Sequence, residues 1–140
     1  MLTLSLVTPA KKLLTDVGIA EVFVPTENGE LNILEGHAPL MAILDVGVLL
    51  YKTAGSSDLQ QVAISWGYLE VSNDAVTVLA ETAETAEAID ITRAEEAKKK
   101  AEKALLGADL EQHEFQKYQL KLERAMIRVQ VAHKSDDTSH

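Results

Sequence analysis

The 140-residue chain has no cysteine, which excludes a disulfide framework and a cysteine-ligated zinc site. Its four histidines, His37, His113, His133 and His140, are too scattered to form a zinc finger or ribbon on their own. Long apolar runs are also missing: none approaches the ~18 residues of a membrane-spanning helix. The start, Met1-Leu2-Thr3-Leu4-Ser5, lacks the basic segment of a secretory signal, so a mature cytosolic chain is expected. Basic residues are scarce, 13 against 22 acidic ones for a net charge of -9. Nucleic acid is therefore not the expected partner, because phosphate contacts need a basic face. The remaining composition, 46% hydrophobic and 25% charged, is that of one compact globular domain or two small ones.

The charge is unevenly spread. Residues 1–88 hold three basic residues (Lys11, Lys12, Lys52) and twelve acidic ones, whereas residues 89–140 hold ten of each sign. All three prolines and six of the seven glycines fall in the first part, which leaves Gly107 alone in the second. This partition predicts a turn-rich domain over 1–86 followed by a helical domain over 87–140 with a frayed C-terminal tail.

In the first part, Leu2, Leu4 and Leu6 alternate with polar residues. The run 19–24 ends at Pro25, and further strands are predicted over 46–53, 59–65, 68–71 and 76–80. Glu27-Asn28-Gly29-Glu30 is a hairpin-turn signal in which Asn-Gly supplies positive φ. Short strands at roughly ten-residue spacing predict an all-β sandwich or barrel. In the second part, alanines 94, 97, 101, 104 and 108 recur at spacings of three and four. So do Phe115, Tyr118, Leu122, Ala125, Val129 and Ala132. With Gly107 between them, these stripes predict an antiparallel helical hairpin with an alanine seam, its first helix capped by Asp90 or Thr92. The fold class expected from the residues is thus α+β in the order all-β then all-α, a sandwich or barrel followed by a C-terminal α-helical hairpin.

Enzyme signatures are missing. The chain has no phosphate loop, no G-x-G-x-x-G and no G-x-S-x-G, and Lys117 stands where the zinc-protease pattern starting at His113 requires a histidine. His113 is expected to face solvent. The hairpin carries something more specific. Lys117, Lys121, Arg124 and Arg128 form one stripe on the second helix, and Arg93 and Lys100 share a face of the first. If the hairpin folds near Ala108, residues whose numbers sum to about 217 lie level. Arg93 then meets Arg124 and Lys100 meets Lys117, with Ile89 and Asp90 level with Arg128. Two readings are open. Glu95, Glu96, Glu102 and Glu123 neutralise the cations locally, or the cations converge on a polyanion, since gathered like charges repel unless something anionic lies between them. Guanidinium forks suit phosphate oxygens.

Gly29-Glu30-Leu31-Asn32-Ile33-Leu34-Glu35-Gly36-His37-Ala38-Pro39-Leu40 resembles the epsilon subunit of the F-type ATP synthase. So does Gly67-Tyr68-Leu69-Glu70-Val71 leading into Val76-Thr77-Val78-Leu79-Ala80-Glu81-Thr82-Ala83-Glu84. The likeness runs from about Leu2 to Val131 and includes the order of the two parts, so it implies an N-terminal β-sandwich followed by a C-terminal antiparallel α-helical hairpin. It implies a non-catalytic central-stalk subunit that couples proton flow to ATP synthesis, with its sandwich on the gamma subunit and the c ring, and a hairpin that inhibits ATP hydrolysis at the alpha/beta head. It further implies a peripheral position on the cytoplasmic face of a bacterial inner membrane, no required cofactor, and ATP as a regulatory ligand. Members with a nucleotide-sensing hairpin carry I/L-D-x-x-R-A on the first helix and R-x-x-x-R on the second. Here these are Ile89, Asp90, Arg93 and Ala94, and Arg124 and Arg128; the resemblance adds Glu84 and Lys100 to this ATP set.

Lys100 stands where strongly binding members have arginine, a point charge in place of a fork. Glu35 replaces the proline usual before Gly-His-Ala-Pro, which loosens that loop. The resemblance places Glu30, Leu31, Asn32, Ile33, Leu34 and His37 toward the c ring and gamma. From the residues alone, His37 is a turn residue hydrogen-bonded within its loop and Trp66 belongs to the core; the resemblance implies a gamma-facing patch as the other place for Trp66. The rival reading is an independent β-sandwich ligand-binding module with a helical oligomerisation arm.

Overall fold

The computed structural model describes residues 1–107 and 110–138, with side-chain surroundings through His133. The chain forms two compact units, Met1–Glu84 and Thr85–His140. Among the described residues, no helix is long and apolar enough to cross a membrane.

The first unit contains seven strands: β1 (Leu2–Val7), β2 (Lys12–Thr26), β3 (Gly29–Leu34), β4 (Leu40–Leu44), β5 (Gly47–Thr53), β6 (Leu59–Ser72) and β7 (Ala75–Thr85). Two long strands organise them. The first half of β2 pairs with β1, from Leu2 opposite Ile19 to Val7 opposite Lys12; its second half takes β3 and β5 as neighbours. The first half of β6 pairs with β5 and its second half with β4. β7 joins β6 to β1, running parallel to β1 with Val7 opposite Leu79. The result is a seven-stranded β-sandwich whose two layers share β2 and β6, with a core built by period-two alternation. Leu2, Leu4 and Leu6 on β1 meet Val22 and Val24, Leu69 and Val71, and Val76 and Val78, all buried. Each such side chain contributes roughly 1.5–3 kcal/mol by leaving water.

β2 begins seven residues before the expected Ile19, because Asp16 takes a left-handed φ of 47° in a bulge rather than ending the strand. Its amide N–H donates to Ser5 Oγ at 3.0 Å. The predicted strands 59–65 and 68–71 are one strand, since Trp66 (φ 45°) and Gly67 (φ 127°) bend β6 without breaking it. β3 and β4 were not predicted; both are short and flank the Gly-His-Ala-Pro loop. Between β2 and β3 the turn residues are Glu27 and Asn28. Gly29, not Asn28, takes the positive φ, 106°, as the residue that closes the hairpin.

The second unit opens with a 3₁₀ turn, Ala86–Ala88, then α1 (Ile91–Leu105) and α2 (Gln112–Thr138). Asp90 is the N-cap of α1, its Oδ1 accepting from the Arg93 N–H at 3.1 Å, which leaves Thr92 inside the helix. Ala94, Ala101, Ala125, Val131 and Ala132 are buried, but Ala97 is exposed. The covered face of α1 therefore runs Ile91, Ala94, Lys98, Ala101, Leu105, with the Lys98 stem in place of Ala97. Ala108 lies outside the described residues. Of the tail expected to fray, residues up to Thr138 continue α2 and 139–140 lie outside the described residues.

Candidate functional site

The outer face of the first unit carries an apolar row across four strands. Ile43 on β4 lies opposite Tyr68 on β6, and Leu79 on β7 lies opposite Val7 on β1. Asn73 and Asp74 form the two-residue turn between β6 and β7, both with left-handed φ, so counting back along this hairpin brings Tyr68 opposite Leu79. Ile43 is 50% exposed, Tyr68 58% and Leu79 48%, and Met41 beside the row is 72% exposed. A contiguous apolar patch of this kind marks a surface that another protein covers. These residues were not singled out from the sequence. The available signal was an apolar side chain at the outward-pointing position of each strand, unreadable for Ile43 while β4 itself was missed.

The expected partner-facing residues divide by strand alternation. Glu30, Asn32 and Leu34 point outward, and Leu34 is 51% exposed. Leu31 points inward against the core, and Ile33 is fully buried in it. Ile33 is thus corrected from contact residue to core residue, because adjacent strand residues face opposite ways. In the following loop, the Gly36 N–H donates to Asp74 Oδ1 at 2.7 Å and the His37 N–H to the Leu34 carbonyl at 3.2 Å. His37 Nδ1 lies 2.7 Å from the Ala38 carbonyl, which only accepts, so Nδ1 carries the proton. His37 is a turn residue hydrogen-bonded within its own loop. Glu35 lies 2.9 Å from the Met1 amino group, and this carboxylate holds the amine above its ordinary range. Trp66 is half-buried at the β6 bend.

The ATP set is distributed as follows. Glu84 stands near the end of β7, in the first unit. In the second unit, Ile89 and Ala94 are buried, Asp90 is engaged as a cap, Arg93 and Lys100 are exposed, and Arg124 and Arg128 are half-buried. The hairpin register differs from the expected one. Glu95 Oε1 meets His133 Nε2 at 3.0 Å, whereas a sum of 217 puts Glu95 level with Leu122. His133 is eleven positions further on, ~16 Å along a helix axis at ~1.5 Å per residue, more than two facing side chains span. Burial agrees in direction: Ala125, Val131 and Ala132 toward the end of α2 are buried while Phe115 at its start is exposed. Allowing about one helical turn for the reach of the two facing side chains, α1 is displaced along α2 by about one heptad relative to expectation, ~10 Å. Arg93 is therefore not level with Arg124, nor Lys100 with Lys117. The start of α2 extends past α1, leaving Phe115 45% exposed.

Local neutralisation takes a different form from that expected, because Glu95 pairs with a histidine. Among the described residues, no ion pair joins Arg93, Lys100 or Arg124 to Glu96, Glu102 or Glu123. His113 faces solvent, 3.4 Å from Glu111. With Glu114, these residues bring three polar side-chain atoms within 4.8 Å of one another at the exposed start of α2.

Residues 1–86 match the family description "ATP synthase, Delta/Epsilon chain, beta-sandwich domain", and residues 87–133 match "ATP synthase, Delta/Epsilon chain, long alpha-helix domain". The chain is 48% identical to the ATP synthase epsilon chain of Geotalea daltonii, over 96% of this chain and 95% of that one. It is 46% identical, with the same coverage, to the epsilon chain of Citrifermentans bemidjiense. The fold is similar to a chain in the cryo-EM structure of the Euglena gracilis mitochondrial ATP synthase OSCP/F1/c-ring (TM-score 0.75, 21% identity, 99% of this chain and 81% of that one). It is also similar to one in the Tetrahymena thermophila mitochondrial ATP synthase central stalk/c-ring (TM-score 0.59, 16% identity, 96% and 95%). With both parts matched in order and the relatives aligned over almost their whole length, the chain belongs to the ATP synthase delta/epsilon chain family, among its epsilon chains.

Proposed function

We propose that this protein is the non-catalytic epsilon subunit of the F1 central stalk in a bacterial ATP synthase, peripheral to the cytoplasmic face of the inner membrane. Its sandwich docks on the gamma subunit and the c ring and helps couple proton translocation to ATP synthesis. The single observation that carries this reading is the apolar row Ile43–Tyr68–Leu79–Val7, side by side on four neighbouring strands and largely exposed, the chemistry of a surface that a protein partner covers. The outward residues of β3, Glu30, Asn32 and Leu34, and the His37 loop supply the more polar contact to the c ring. Co-purification with the gamma subunit tests it. The wild-type chain is retained and Tyr68→Asp is lost; equal retention of both overturns the assignment of this face.

The hairpin is the regulatory part. Released from its folded form, it inserts its basic helix residues against acidic segments of the alpha/beta head and inhibits hydrolysis. ATP held by Asp90, Arg93, Lys100, Arg124 and Arg128, with Ile89 and Ala94 as apolar backing, favours the folded form by RT ln(1 + [L]/Kd). The I/L-D-x-x-R-A and R-x-x-x-R residues support this. Isothermal titration of the full chain with ATP tests it. Arg124→Ala and Arg128→Ala weaken the binding, and no heat at millimolar ATP removes the sensor role.

A further inference from the structure

The hairpin seam repeats after seven residues on both helices. On α1 the covered positions are Ile91, Ala94, Lys98, Ala101 and Leu105. On α2 the corresponding stripe is Phe115, Tyr118, Leu122, Ala125, Val129 and Ala132. Sliding one helix past the other by one heptad maps each stripe onto itself, so an apolar seam forms in either position. The structure shows the register in which Phe115 at the start of α2 is uncovered and Glu95 meets His133. The alternative covers Phe115 and leaves the Ala132–His133 end bare. It brings Arg93 level with Arg124 and Lys100 level with Lys117.

We infer that the hairpin has two registers one heptad apart, and that a polyphosphate anion selects the one in which the cations are level. This rests on the nucleotide reading of the hairpin given above. The charge pattern supplies the switch. Without an anion, aligning Arg93 with Arg124 and Lys100 with Lys117 is repulsive, whereas the observed register offsets them by ~10 Å and closes on the Glu95–His133 contact. A bound triphosphate reverses the sign of that term. The exchange covers Phe115 and the start of the α2 stripe, and in return uncovers the buried Val131 and Ala132 and gives up one exposed side-chain contact, so the anion has to supply the difference. The connection permits it as well. Six residues, 106–111, join α1 to α2, enough for the overhang of the observed register and more than enough for the compact one.

Because the chain has no cysteine, the registers can be read by cross-linking the full-length protein with a short bismaleimide. Glu102→Cys with Met126→Cys, one heptad along each helix from the Glu95–His133 contact and leaving it intact, reports the observed register. Glu102→Cys with Gln119→Cys, seven positions earlier on α2, reports the other, and all three residues are exposed, so their replacement is mild. Without ligand, the 102/126 pair cross-links and the 102/119 pair does so poorly. Millimolar ATP, and separately inorganic triphosphate, lowers the first yield and raises the second several-fold; Arg93→Ala abolishes the change. If calorimetry on the same double variants detects ATP binding and neither yield moves, the two-register inference is overturned and the nucleotide site stands. If no ATP binds, the nucleotide reading falls and the inference falls with it.

Discussion

Gly67 on β6 lies so close to the Leu79 carbonyl on β7 that a Cβ at position 67 would overlap that oxygen, and its φ of +127° disfavours any side chain independently. The clash is with backbone and no rotamer relieves it. Gly67→Ala is expected to destabilise the sandwich by about 2–4 kcal/mol, read as a lowered urea midpoint. An unchanged midpoint would mean that the two strands separate at this point without cost.

Asp90 serves the fold before any ligand reaches it. Its side chain accepts from the Arg93 N–H, so Asp90→Ala should cost about 1 kcal/mol of α1 stability. Asp90→Asn keeps the cap and discards the charge. Helicity by circular dichroism should fall for the alanine variant and recover for asparagine, and comparing ATP affinity across the pair separates capping from ligand contact.

At the β6–β7 turn, Asn73-Asp74 occupies a geometry that favours Asn-Gly, both residues having left-handed φ. Asp74 is explained by its Oδ1, which holds the Gly36 N–H at 2.7 Å. Asp74→Gly eases the turn and releases the 35–39 loop. Global stability should change by less than about 1 kcal/mol, while the Gly36 amide exchanges with solvent markedly faster by NMR. Protection of Gly36 equal to wild type would disprove the tether.

Substitutions on the exposed row should separate binding from folding. Ile43→Ser and Tyr68→Ser remove exposed apolar surface, so melting temperatures should stay near wild type. Affinity for the gamma subunit should fall by about 2 kcal/mol, ~30-fold, if these residues are central to the interface. A loss of affinity matched by a loss of stability would point to misfolding instead.

Alternation along the strands and the charge partition were enough to foresee a sandwich or barrel followed by a hairpin. Asp16 and the Trp66-Gly67 bend were harder, because a bulge and a strand end carry the same local residues; only pairing across the sheet distinguishes them. Within β3, alternation separates Ile33 from Asn32 and Leu34, but a family likeness that treats 30–34 as one segment conceals it. The hairpin register was illegible for a different reason. Alanine recurs on α1, and the α2 stripe returns every seven residues, so the pattern fits equally well one heptad away. What separates the two is a side-chain contact long in sequence, between Glu95 and His133.

The sharing of β2 and β6 between the two layers has a mechanical meaning. Sheets joined only by turns and side-chain packing can shear across their greasy interface when a torque is applied to one of them. Here each long strand is hydrogen-bonded into both layers, so such a torque pulls along covalent chain and across ladders of backbone bonds. The first unit is thereby stiff to twisting loads, because a twist cannot separate its layers without breaking backbone ladders.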